Sequence, residues 1–166
     1  EVAAILNNLG ATAHTRGDLV AAEDYFRRSL AIKEAQQPES LDIAVSWNNL
    51  GVIARARGDL EAAEDCQRLA LAIQERLSPG SLEVAASLEL LGNVMAFRGD
   101  LAAAEDYHRR ALGIRQELAP GSIPVADSLN NLGELAKRRG DLGRADELFR
   151  RALDAQQRLA PTGLDV

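Results

Sequence analysis

The chain has 166 residues, 46% hydrophobic but only 4% aromatic and 27% charged, which is enough for a real core and too apolar for disorder. Nineteen basic against 25 acidic residues leave a net charge of -6, which argues against sequence-independent binding of nucleic acid, and no apolar run is long enough to span a membrane. A single cysteine, Cys66, excludes an internal disulfide or thiolate metal site and fits a reducing, cytoplasmic setting, while two histidines, His14 and His108, leave little for metal or general-base chemistry.

Ala and Leu dominate the apolar share and strand formers are scarce, so the composition leans all-α. The only methionine is Met95, so residue 1 reads as lying inside a longer chain. Internal repetition sets the architecture. Leu9-Gly10, Leu50-Gly51, Leu91-Gly92 and Leu132-Gly133 recur at one constant spacing, and Pro38, Pro79, Pro120 and Pro161 keep the same period. Four copies are expected, at 1–41, 42–82, 83–123 and 124–164, with Asp165-Val166 opening a fifth, all within one array over 1–166.

In the first copy, Gly17 is placed to end one helix and Asp18 to cap the next. Glu23–Arg27 and Asp24–Arg28 then form acid-before-base pairs at i,i+4 on the second helix. The second copy shows the pattern most clearly. Ile43, Ala44, Trp47, Leu50, Gly51 and Ala54 have helical spacing over Leu41 to Arg57, and Ser40 stands at the expected N-cap. Its second helix has a core face of Leu60, Ala63, Ala70, Leu71 and Ile73, with Glu64–Arg68 on the opposite face. The third copy repeats this with Ser81, Gly99, Glu105–Arg109 and Asp106–Arg110, and the fourth with Ser122, Gly140, Asp146–Arg150 and Glu147–Arg151. Pro124 falls in a first helical turn, where its missing N–H costs little. Each copy is a helix–turn–helix.

Trp47-x2-Leu50-Gly51, Ala22-x3-Phe26 and the closing Pro38 resemble the tetratricopeptide-repeat (TPR) pattern, and every copy keeps most of these positions. The aromatic usual three residues after the glycine is replaced by Ala13, Ala54, Met95 and Ala136. The common TPR period is about 34 residues, and the longer unit here adds about two helical turns. That length, the Ser46-Trp47-Asn48-Asn49 and Ser128-Leu129-Asn130-Asn131 runs and the Pro-Gly-Ser connection are similar to the kinesin-light-chain-like subclass. The resemblance implies a right-handed superhelical solenoid of four units. It also implies a role in protein interaction, with bacterial relatives serving as scaffold or sensor parts of larger signalling and protease proteins.

In that family the first helix of each repeat lines a concave groove. Carried over position by position, the groove includes Asn7, Asn8, Asn48, Asn49, Val52, Arg55, Asn93, Phe97, Asn130, Asn131, Lys137 and Arg138. Asparagine is a mediocre helix former, yet a pair recurs in mid-helix in three of the four copies. Its amide can both donate to and accept from the main chain of an extended peptide. Two roles stay open for these amides: contact with a peptide, or bridging of successive helices. Glu89 and Leu90 interrupt the ladder in the third copy.

Other motifs have plain explanations. Arg16-Gly17-Asp18 and its three copies are a helix end, a terminal glycine and an N-cap rather than an adhesion tripeptide. Arg27-Arg28, Arg109-Arg110 and Arg150-Arg151 follow acidic partners by four residues and read as a solvated face rather than a phosphate site. Cys66 aligns with Tyr25, Tyr107 and Leu148 and is expected to be packed rather than reactive. No phosphate loop, nucleophile motif or carboxylate pair is present, so neither an enzyme nor a cofactor or metal site is expected. The expected partner is a protein or peptide. The alternative is a spacer that associates with itself through Ala152, Leu153 and Leu159 at an uncapped end.

Overall fold

The computed structural model describes residues 1–159, all of whose regular structure is helical. The helices are α1 (Val2–Thr15), α2 (Leu19–Gln36), α3 (Leu41–Ala56), α4 (Leu60–Leu77), α5 (Leu82–Arg98), α6 (Leu101–Leu118), α7 (Ile123–Arg138) and α8 (Leu142–Leu159). They fall into two compact units, Glu1–Pro79 and Gly80–Val166. Pro161 and the expected opening of a fifth copy lie outside the described residues.

The turn inside every repeat has one design. At the end of α1 the Gly17 N–H donates to the His14 carbonyl and the Asp18 N–H reaches back to Ala13, the paired bonds of a Schellman closure. The same two bonds recur at Gly58 and Asp59, Gly99 and Asp100, and Gly140 and Asp141. Gly17 has φ +80°, in the left-handed region where only glycine sits without strain, and its three counterparts match it. Each aspartate then caps the next helix: Asp18, Asp59 and Asp100 Oδ1 each accept from a main-chain N–H three residues on at 3.0 Å, and Asp141 does so at 3.1 Å.

The other helix starts are less uniform than the recurring serine suggests. Ser81 accepts from the Val84 N–H at 3.4 Å, but Ser40 and Ser122 make no capping bond and their buried hydroxyls have no partner. Pro124 stands in the first turn of α7, as its chemistry allows.

In the first unit α1 packs on α2, α2 on α3 and α3 on α4; in the second, α5, α6, α7 and α8 follow the same succession. The first core gathers Ala22, Phe26, Leu30, Ile43, Leu50 and Ile53, with half-buried Trp47, Cys66 and Ile73 against it. The second gathers Leu112, Leu129, Leu132, Ala145, Leu148 and Ala152, flanked by Phe149. Small residues let the helices of a pair approach closely. A Cβ added to Gly10 would lie 2.7 Å from the Phe26 ring, and one on Gly133 2.6 Å from Phe149.

Candidate functional site: the exposed face of the first helices

The buried stripe of each first helix turns the opposite stripe outward. In α1, Ala3, Leu6, Gly10 and Ala13 are buried while Asn7 is half-buried and Asn8 exposed. In α3, burial of Ile43, Ala44, Ser46, Leu50 and Ile53 leaves Asn48, Asn49, Val52 and Arg55 half-buried. In the second unit, Asn93 and Asn131 are half-buried and Phe97, Asn130, Lys137 and Arg138 exposed, Phe97 to 63%. None of the twelve predicted groove residues is buried.

The structure couples some of these residues to one another. Asn49 Nδ2 donates to Asn7 Oδ1 at 2.9 Å, joining α3 to α1 across the repeat boundary. The same geometry recurs two repeats on, where Asn131 Nδ2 donates to Glu89 Oε1 at 2.9 Å. The second asparagine of each of these two pairs thus bridges repeats, one of the two roles left open by the sequence. Glu89 takes the part of Asn7 in this contact. Arg138 donates to the Ala96 carbonyl at 2.8 Å, and Lys137 is paired with Glu134 at 3.1 Å.

A polar network beneath this face escapes a reading of the groove positions. Arg115, only 7% exposed, forms an ion pair with Glu89 and donates to Ser128 Oγ at 2.7 Å and to the Pro124 carbonyl at 3.3 Å. Lys33, its counterpart in the first unit, donates to Ser46 Oγ at 2.8 Å and to the Asp42 carbonyl at 3.0 Å. Burial holds the Lys33 ammonium below its ordinary range, with Asp42 opposing the shift. The signal available in the sequence was the serine itself, which recurs at 46, 87 and 128 amid core residues.

Behind the helices, the expected acid-before-base pairs form on α2, α4, α6 and α8, among them Glu23–Arg27 at 2.6 Å, Glu64–Arg68 at 2.6 Å and Asp146–Arg150 at 2.9 Å. This face is less solvated than expected. Glu23 and Glu105 side chains are 20% and 13% exposed because each also pairs with an arginine from the next repeat, Arg57 or Arg139. Burial, with help from Asp65, pushes the half-buried Cys66 thiol up and away from thiolate chemistry. Among the described residues, no group of His, Cys, Asp and Glu is arranged to hold a metal ion, and no helix is long and apolar enough to cross a membrane.

Family models described as tetratricopeptide repeat match residues 2–35, 42–117 and 83–158. The chain belongs to the tetratricopeptide-repeat family. TPR domains are generally protein-interaction modules and typically non-enzymatic. No curated protein matches the chain. Among solved structures, the TPR fold seen here is similar to the crystal structure of BtubC (BKLC) from P. vanneervenii, at 29% identity and a TM-score of 0.86. The match covers 99% of this chain but 66% of that one, and it supports the kinesin-light-chain-like assignment within the TPR family.

Proposed function

We propose that the exposed first-helix faces bind an extended peptide segment of a partner protein. The observation that carries this reading is that each unit bears accessible amides on its first helices, Asn7 and Asn48 half-buried and Asn8 exposed in the first and Asn130 exposed in the second. An amide can satisfy a peptide main chain whatever its side chains, and Val52, Arg55, Asn93, Phe97, Lys137 and Arg138 would then select among sequences. Asn49 and Asn131 serve in part as bridges that hold their neighbours in place. Likeness to one solved chain over 99% of this one supports treating 1–166 as a single array, and the lone cysteine fits a reducing cytoplasm.

A peptide selected from a random library on the intact chain provides the probe. Replacing Asn7, Asn48 and Asn130 together by Ala is expected to lower its affinity at least tenfold, about 1.4 kcal/mol, with helicity unchanged. Because Asn7 also accepts from Asn49, the Asn49→Ala variant is measured beside it to separate loss of the bridge from loss of peptide contact. Unaltered affinity in the triple variant rejects amide capture.

A second reading has its own observation. Val2, Ile5 and Val20 on α1 and α2, and Leu142 and Leu153 on α8, are 53–71% exposed. Such side chains suit stacking of one copy on another. Ala152, in contrast, is buried within its own unit, and Leu159 carries no side-chain description. Sedimentation over a wide concentration range decides, since a strict monomer at high concentration rules stacking out.

A further inference from the structure

The first unit holds a cavity of about 370 Å³ whose lining includes Glu23 and Arg27 of α2, Trp47 of α3, and Ala62 and Cys66 of α4. The corresponding place in the second unit, two repeats on, amounts to about 30 Å³. The repeat positions account for the difference. Ala62 corresponds to Arg144, which lines the smaller space and places its guanidinium 3.0 Å from Glu105.

The carboxylates tell the same story. Glu105 gathers three guanidinium groups, from Arg109, Arg139 and Arg144. Glu23, its counterpart, gathers two, from Arg27 and Arg57, and Ala62 has nothing to offer. The first unit therefore has the carboxylate and the room for a third guanidinium, without the residue that supplies it.

We propose that this cavity binds an arginine side chain of a partner protein, its guanidinium taking on Glu23 the place that Arg144 takes on Glu105. Two features favour arginine over an anion. Glu23 and Asp59 both line the space, so the two guanidinium groups there are already balanced by two carboxylates. The half-buried Trp47 ring adds an aromatic surface on which a planar cation stacks, and Leu129 stands at that position in the second unit. The cavity shares no residue with the amide-bearing face proposed to bind peptide, so either site can exist without the other.

Trp47 is the only tryptophan, so its fluorescence reports on this cavity alone. The test titrates the intact chain with N-acetyl-arginine amide and, separately, with the neutral isostere N-acetyl-citrulline amide. A saturable millimolar response to the arginine probe is expected, at least tenfold weaker for citrulline. Ala62→Arg is expected to abolish it by installing the arginine found in the second unit, and Glu23→Gln to weaken it about tenfold. Equal responses to the two probes, a stronger response to N-acetyl-aspartate amide, no saturation at tens of millimolar, or an undiminished response in a helical A62R chain each overturn the proposal. Should A62R fail to fold, the comparison of probes on the wild-type chain still decides.

Discussion

Phe26, Gln67, His108 and Phe149 occupy the same position in the four successive repeats, and each faces the glycine of its own repeat. Two copies fill this contact with a phenyl ring and two with a polar group, and the polar ones are incompletely satisfied. Gln67 and His108 are only 1–2% exposed, and Gln67 Oε1 and His108 Nδ1 have no partner. His108→Phe, which restores the ring of the outer copies, is expected to stabilise the fold by about 1 kcal/mol, read as a raised urea midpoint with unchanged slope. Burial holds the His108 pKa below its ordinary 6.5, Arg115 lowering it further and Glu89 opposing. The unfolded chain therefore takes up this proton first. Stability from the neutral ring is complete above about pH 6.5 and is lost as pH falls through the lower folded value. Urea midpoints at pH 7.5 and 5 are expected to diverge in the wild type more than in H108F. At the first copy the constraint is steric: Gly10→Ala puts a methyl 2.7 Å from the buried Phe26 ring and is expected to cost about 1–3 kcal/mol.

The elements divide into those specified locally and those specified by a neighbour. Helix ends were legible because a glycine in the left-handed region and an aspartate cap act over a few residues, as at Gly58 and Asp59. The helix pairing was legible because Ala22, Ala63 and Ala104, small residues at one period, are all fully buried. The polar network was not. Arg115 meets Ser128 across 13 residues and Glu89 across 26, and no local spacing rule announces either partner. Nor did the sequence distinguish Ser81, which caps its helix, from Ser40 and Ser122, which do not. The accessible faces of α1, α3 and α7 were implied by the family resemblance, whereas the pairing of Asn49 with Asn7 depended on how two helices lie together. Arg115→Ala leaves Glu89 without its cation. Since the Glu89 side chain is 23% exposed, a loss near the low end for broken buried pairs, about 3 kcal/mol, is expected in thermal or urea unfolding.

At the scale of the molecule, each unit owns a core: Phe26 and Ile53 in the first, Leu129 and Leu148 in the second. Repeat proteins gain stability from each repeat and from the contacts between successive ones. Residues 1–79 and 80–166, made as separate chains, are each expected to remain helical by circular dichroism. A fragment that is unfolded at low temperature contradicts the autonomy of its core. The acidity behind the net charge of -6 is likewise not spread evenly, because several carboxylates are neutralised in pairs such as Glu64–Arg68 and Glu105–Arg109 on the second helices.

The hook from Lys33 to Ser46, and its equivalent from Arg115 to Ser128, places donor and acceptor on opposite sides of a repeat boundary. A recombination event that cuts between α2 and α3 and rejoins at another repeat boundary still offers the donor a serine, since Ser46, Ser87 and Ser128 hold one repeat position. A lineage of such chains can therefore change length by whole repeats without orphaning the donor, and the size of that viable step is set by one recurring serine.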